Sequence, residues 1–117
     1  MVLVDTPVWI DHFRNNNTQL IHLLNNGDVF CHPFIIGEIA CGNIQNRIEI
    51  LSLLQSLPQS LTVDHEEILI FIENNNIMGQ GLGYIGITIL ASAILSGLSL
   101  WTLDKRLKTM AIKFDIN

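Results

Sequence analysis

The sequence predicts an α/β fold, a three-layer α/β/α sandwich built on a central, mostly parallel sheet. Three observations carry that prediction. Short apolar or β-branched runs alternate with longer stretches in which apolar residues recur at helical spacing. The short runs are continuously apolar rather than polar at every second residue, the pattern of strands covered on both faces. The chain has 117 residues, 49% of them hydrophobic and only 15% charged, with a mean hydropathy of +0.39, so it can fill one core and lacks the composition of a disordered segment. No repeat, low-complexity tract or linker divides it, and a single domain over residues 1–117 is expected.

The elements follow in order. Val2-Leu3-Val4 is the first strand; Thr6 is a plausible N-cap and Pro7 a first helical residue, opening a helix to about Arg14. Asn15-Asn16-Asn17 breaks the chain before a short helix around Thr18 to Leu24. Asp28 to Cys31 forms a second brief strand, and Pro33 opens a helix through Gly42. Ile48, Leu51 and Leu54 mark a helix that stops before Pro58. Ser60 to Val63 is a candidate third strand. Asp64 caps a helix from His65 to Asn74, with Glu66 and Glu67 in its first turn, where the helix dipole favours negative charge. Tyr84 to Leu95 is an almost wholly apolar helix ended by Gly97. Leu98 to Thr102 is a strand, and a basic helix from Lys105 to Phe114 completes the chain.

Charge and cysteine content exclude several classes. With 11 Asp and Glu against 6 Lys and Arg, the formal charge is −5, unlike proteins that wrap nucleic acid by displacing phosphate counterions. Cys31 and Cys41 are too few for a disulfide framework, and with His32 they lack a fourth zinc ligand. The N-terminus has no basic stretch before its first acid, so a cytoplasmic protein is expected. Residues 74–103 carry no charge, but five glycines interrupt them, and a buried helix followed by a buried strand is expected there rather than a membrane span.

Most carboxylates read as helix-start or solvated groups, whereas Asp5, Glu38 and Asp104 point to chemistry. Asp5 and Asp104 each end a predicted strand, where a parallel sheet presents residues to its ligand crevice; each is also a possible N-cap. Glu38 lies on an apolar helix whose neighbours Phe34, Ile35, Cys41 and Gly42 cannot neutralise it. It is either a surface residue or an uncompensated carboxylate that needs a partner. Three acids meeting at one sheet edge would repel unless a cation joined them, and an all-oxygen donor set favours Mg²⁺ or Mn²⁺. Such a site suits phosphodiester hydrolysis. Residues 1–103 sum to −7, with nine acids and two bases, while residues 104–117 sum to +2, with two acids and four bases. Lys105, Arg106 and Lys108 thus stand beside Asp104 as candidate contacts to an RNA backbone, or as the solvated face of an amphipathic helix.

The segments VDTPVWIDHFR, PFIIGEIACGN, GLGYIGITILASAILSG and LWTLDKRL, in this order, resemble PIN-domain ribonuclease toxins of the VapC type over nearly the whole chain. The resemblance implies a PIN-like sandwich, a Mg²⁺-dependent endoribonuclease, a homodimer and a cognate antitoxin. It places Asp5, Glu38 and Asp104 on family acids and Thr6 on the hydroxyl residue beside the first. It also implies an aspartate at the start of the helix after Gly-Leu-Gly-Tyr-Ile and a histidine two residues on, where this chain has Gly86 and Thr88. That departure motivates a second reading: a catalytically silent PIN domain that binds an antitoxin or RNA.

Other chemistries fit less well. A phosphatase of the haloacid-dehalogenase type would need an acid where Pro7 stands, and His12, His22, His32 and His65 occupy unrelated contexts that do not suggest a paired-histidine ribonuclease. Trp9 and Trp101 read as core residues, with Trp9 a possible contributor to a partner surface.

Overall fold

A computed structural model describes all of residues 1–117. The chain runs β1 (Val2–Val4), α1 (Thr6–Asn15), α2 (Thr18–Asn25), β2 (Val29–Phe30), α3 (Pro33–Ala40), α4 (Arg47–Ser56), α5 (His65–Asn75), α6 (Tyr84–Ser96), β3 (Ser99–Trp101) and α7 (Lys105–Lys113). The three strands form a parallel sheet in the order β2-β1-β3, with Val2 opposite both Val29 and Ser99 and Val4 opposite Trp101. Successive strand residues point to opposite faces, and Leu3 and Val4 are both 0% exposed, so the central strand is covered on both sides. This is the α/β architecture of the PIN type expected from the sequence.

Local chemistry explains the boundaries. Asp5, not Thr6, is the N-cap of α1: its backbone is extended and its carboxylate accepts the Thr6 amide, which leaves Thr6 and Pro7 as the first helical residues. The asparagine clusters act as helix stops, since Asn16 (φ +52°) and Asn76 (φ +51°) close α1 and α5 in the left-handed conformation that asparagine tolerates. Asn17 then caps α2 by accepting the Leu20 amide. Asp64 caps α5 in the same manner, as predicted.

One element differs from expectation: Ser60 to Val63 is not a strand. Only a single parallel bridge, Cys31 to Gln59, extends the sheet at that edge; the Cys31 amide donates to Pro58 O, and the Ser60 amide donates to Cys31 O. Leu61 then turns away, its amide donating to Ser96 Oγ on α6 at 2.9 Å. Pro58 has no N–H to give a ladder, and one helix hydroxyl outcompetes further strand pairing.

The charge-free run resolves as expected into α6 and β3. Seven consecutive residues of α6, Ile87 to Ala93, are buried, and no helix of the protein is long and apolar enough to cross a membrane. Trp9 is 1% exposed and its indole N–H donates to Val4 O at 3.1 Å, tying α1 to the central strand.

Candidate active site

The carboxyl ends of β1 and β3 create the site. Because Val4 lies opposite Trp101, the next residues, Asp5 and Thr102, leave the sheet side by side, and the Asp5 amide continues the ladder to Trp101 O at 2.9 Å. Thr102 Oγ1 donates to Asp5 Oδ2 at 2.7 Å and accepts the Asp104 amide at 3.1 Å. One buried hydroxyl therefore links the two acids that follow β1 and β3. Asp5 Oδ1 accepts the Thr6 amide, and Thr6 Oγ1 donates to Glu38 Oε1 at 2.8 Å, bringing α3 to the same place. Asp104 is the N-cap of α7, with Oδ1 accepting the Arg106 and Leu107 amides.

Asp5, Thr6, Glu38, Gly86 and Asp104 line one open cleft of about 520 Å³. The structure thus brings together all three acids singled out in the sequence, along with Thr6 and the position where the resemblance implies a further acid. For Asp5 and Asp104 the capping and cleft-lining readings both hold. Of the two alternatives for Glu38, the surface position holds and it still meets the other acids: it is exposed at the cleft, on the solvent side of a helix whose Ile35 and Ile39 are buried. Its apolar sequence neighbours signalled the helix's burial, not that of Glu38 itself.

Asp5 is the buried acid, 7% exposed. Burial raises its pKa; hydrogen bonds from Thr102 and Thr6 oppose the rise, and the charges of Glu38 and Asp104 add to it. Every hydrogen bond accepted by the three carboxylates comes from a backbone amide or a threonine hydroxyl, none from a lysine or arginine. As the side chains stand, no group of three His, Cys, Asp or Glu residues is gathered to hold a metal ion. The donor chemistry nevertheless fits a hard divalent cation: oxygen donors alone, and like charges at Asp5, Glu38 and Asp104 that a cation would neutralise.

Position 86 is open. A Cβ built on Gly86, the third residue of α6, would meet only Leu82 Cδ2, at 4.0 Å. Lys105, Arg106 and Lys108 are exposed on α7 outside the cleft lining, and the Arg106 guanidinium is partly committed, donating to Gly81 O at 3.3 Å. The base that does line the cleft is Arg14, in the last turn of α1, accompanied by Asp11 and Asn15. Asn15 and Asn17 donate to the two oxygens of Asp11, and those bonds hold its pKa low. Sequence reasoning missed Thr102 and Arg14. The first was legible only through strand register, and the second only through the direction α1 takes after Asp5.

No protein-family profile matches the chain. Ribonuclease VapC32 of Mycobacterium tuberculosis, in strains CDC 1551 / Oshkosh and ATCC 25618 / H37Rv, is 43% identical to it over 109 residues, covering 92% of this chain and 88% of the relative. A likeness of that extent, on a parallel sheet with acids at its strand ends, establishes that the chain belongs to the VapC ribonuclease family.

Proposed function

We propose that the protein is the toxin of a toxin–antitoxin pair, a Mg²⁺-dependent endoribonuclease that also accepts Mn²⁺, with Asp5, Glu38 and Asp104 as its acidic site. In this reading it is a single-domain cytoplasmic protein that forms a homodimer and is held silent by a cognate antitoxin. The carrying observation is the convergence of three carboxylates on one cleft without a basic partner bonded to them.

Asp5, Glu38 and Asp104 would hold the cation, which when bound supplies a water of lowered pKa and polarises the phosphoryl oxygen. The chain's own contribution is placement. Thr102 and the Thr6 amide fix both oxygens of Asp5, while Thr6 fixes one oxygen of Glu38 and the α7 amides one oxygen of Asp104. This leaves Glu38 Oε2 and Asp104 Oδ2 free to orient water for in-line attack on phosphorus. Cleavage of the P–O3′ bond then yields a 3′-hydroxyl and a 5′-phosphate.

Asp5→Ala and Glu38→Ala, assayed for RNA cleavage with Mg²⁺, test the assignment: both abolish activity on this reading, and unchanged cleavage would exclude it. Gly86 favours a second reading, a domain that binds antitoxin or RNA without cutting. Comparing the protein with its Gly86→Asp variant, with and without Mn²⁺, separates the two. Activity gained only in the Gly86→Asp variant identifies a disabled enzyme, and activity already present in the glycine form removes the silent reading.

A further inference from the structure

One side of the carboxylate cleft is the seam between α6 and α7, which contributes Ile85 and Gly86 from the first helix and Asp104 and Leu107 from the start of the second. The two helix starts are secured differently. Asp104 caps α7, its Oδ1 accepting the Arg106 and Leu107 amides. Gly83 precedes α6 and has no side chain to cap it. The chain leading into α6 is rich in glycine, and Gly79 and Gly81 both hold positive φ, at +74° and +78°. Glycine backbone loses much conformational freedom on ordering, so such a loop needs a contact from outside to fix it.

Residues 78–82 make one hydrogen bond to another element of the fold: Arg106 Nη1 donates to Gly81 O at 3.3 Å. The same guanidinium lies against the Gly81 backbone. A Cβ at position 81 would fall 2.7 Å from Nη1 and 2.9 Å from both Cδ and Cζ. Glycine is therefore required at 81 twice, by the left-handed backbone and by the closeness of the arginine. At its other end Arg106 is tied to the site, since its amide donates to Asp104 Oδ1. One residue thus joins a cleft carboxylate to the loop before α6. Buried Ile77 and partly buried Leu82 anchor the ends of that loop by packing, which leaves its middle to Arg106.

We infer that Arg106 is a positioning residue. Its side chain latches the loop onto α7, and this contact sets where the first turn of α6, and with it position 86, stands relative to Asp104. The inference rests on the ribonuclease reading for its consequence in cleavage, whereas the contact itself shapes the cleft whatever the cleft binds. The competing role for an exposed arginine at this place is a phosphate contact. Two features favour positioning: Arg106 does not line the cleft, and its guanidinium already has a carbonyl partner and a glycine packed against it.

The test compares Arg106→Ala with Gly81→Ala, which keeps the charge but strains the loop and displaces the guanidinium. Hydrogen exchange is read at the Ile87 amide, bonded to Gly83 O in the first turn of α6, and at the Lys108 amide, bonded to Asp104 O in α7. Both variants should speed exchange at Ile87 by about tenfold, the scale of one lost hydrogen bond to a charged group, and leave Lys108 unchanged. Circular dichroism checks that both fold. In RNA cleavage with Mg²⁺, kcat should fall about tenfold in both while KM holds, the mark of misplacement rather than lost binding. If only the Gly86→Asp form cuts, the kinetics are measured in that form. Affinity for a fluorescein-labelled single-stranded oligouridylate in EDTA should be the same in both variants as in the unaltered protein. Unchanged exchange at Ile87 in Arg106→Ala overturns the inference. So does a weaker Kd in Arg106→Ala alone, with a slope against log salt lowered by about 0.7, which marks a phosphate contact. Equal acceleration at Ile87 and Lys108 also overturns it, because the loss is then that of α7 itself. Failure of the ribonuclease reading shows separately, as cleavage that survives Asp5→Ala, and leaves the exchange result standing.

Discussion

The ends of β1 and β2 use the same local device and reach different outcomes. Each strand hands a buried titratable residue to the next helix as its N-cap: Asp5 for α1, and His32, 1% exposed, for α3, where His32 Nδ1 accepts the Phe34 amide at 2.9 Å. Burial drives both toward their neutral forms, raising the pKa of Asp5 and lowering that of His32. Around Asp5, however, Thr102 and Thr6 donate hydrogen bonds, and the charges of Glu38 and Asp104 act on it from the same cleft. Around His32 no second side chain converges: Nε2 is buried without a hydrogen-bond partner from the protein. A buried ionisable cap becomes a site when other strand ends bring it partners; without them it is scaffold.

The sharpest way to break the comparison is Asp5→Asn. Cleavage should fall about a thousandfold, the scale of losing one member of a catalytic set. Stability should move in the opposite direction. Because the folded pKa of Asp5 is raised, the folded state favours its protonated form, and that contribution is lost as pH rises from 3.8 through the higher folded value. At neutral pH Asp5→Asn removes the resulting burden, so Tm should rise by about 3 °C. A Tm that falls sharply would mean that Asp5 is scaffold as His32 is.

Thr102→Val ranks next. It deprives Asp5 Oδ2 of its donor and the Asp104 amide of its acceptor, and should cost about 1–3 kcal/mol in denaturant unfolding. Catalysis should drop by more than about tenfold through the same loss of placement. Thr102→Ser, which keeps the hydroxyl, should restore most of both.

At the other strand end, His32→Asn keeps a capping side chain and removes the titrating ring. The lowered folded pKa of His32 means that the unfolded chain takes up its proton first. Stability therefore declines as pH falls below about 6.5, and continues to decline toward the lowered folded value. The variant should flatten that acid limb in urea melts at successive pH values while leaving cleavage unchanged. The smallest effect concerns Cys31, next to His32, whose thiol burial pushes up to about 11. A thiol reagent should label exposed Cys41 readily and reach Cys31 only on unfolding, without altering activity.

Legibility in the sequence followed the range of the interaction. The caps at Asp64 and Asp104 and the apolar character of α6 are written within a few residues, and each matches the fold. The strand predicted at Ser60 to Val63 failed because the amide of Leu61 is taken by Ser96, a contact spanning 35 positions. Thr102 was invisible for a similar reason: its bond to Asp5 spans 97 positions and exists only because β1 and β3 are neighbours. Asp5 and Asp104 could be found because strand ends are local features and parallel sheets expose them together. Whether Glu38 faced solvent or core was not readable, since one helix turn offers both.

The open space at Gly86 has an evolutionary consequence. Glycine and aspartate codons can differ by a single base, and the Cβ of a side chain at this position would meet only Leu82 Cδ2, at an ordinary contact distance of 4.0 Å. An acid at the third residue of α6 would also sit where the helix dipole welcomes it. The scaffold therefore stands one point mutation from a cleft with a further carboxylate beside Asp5, Asp11, Glu38 and Asp104, and a Cβ at position 86 needs no repacking of the core.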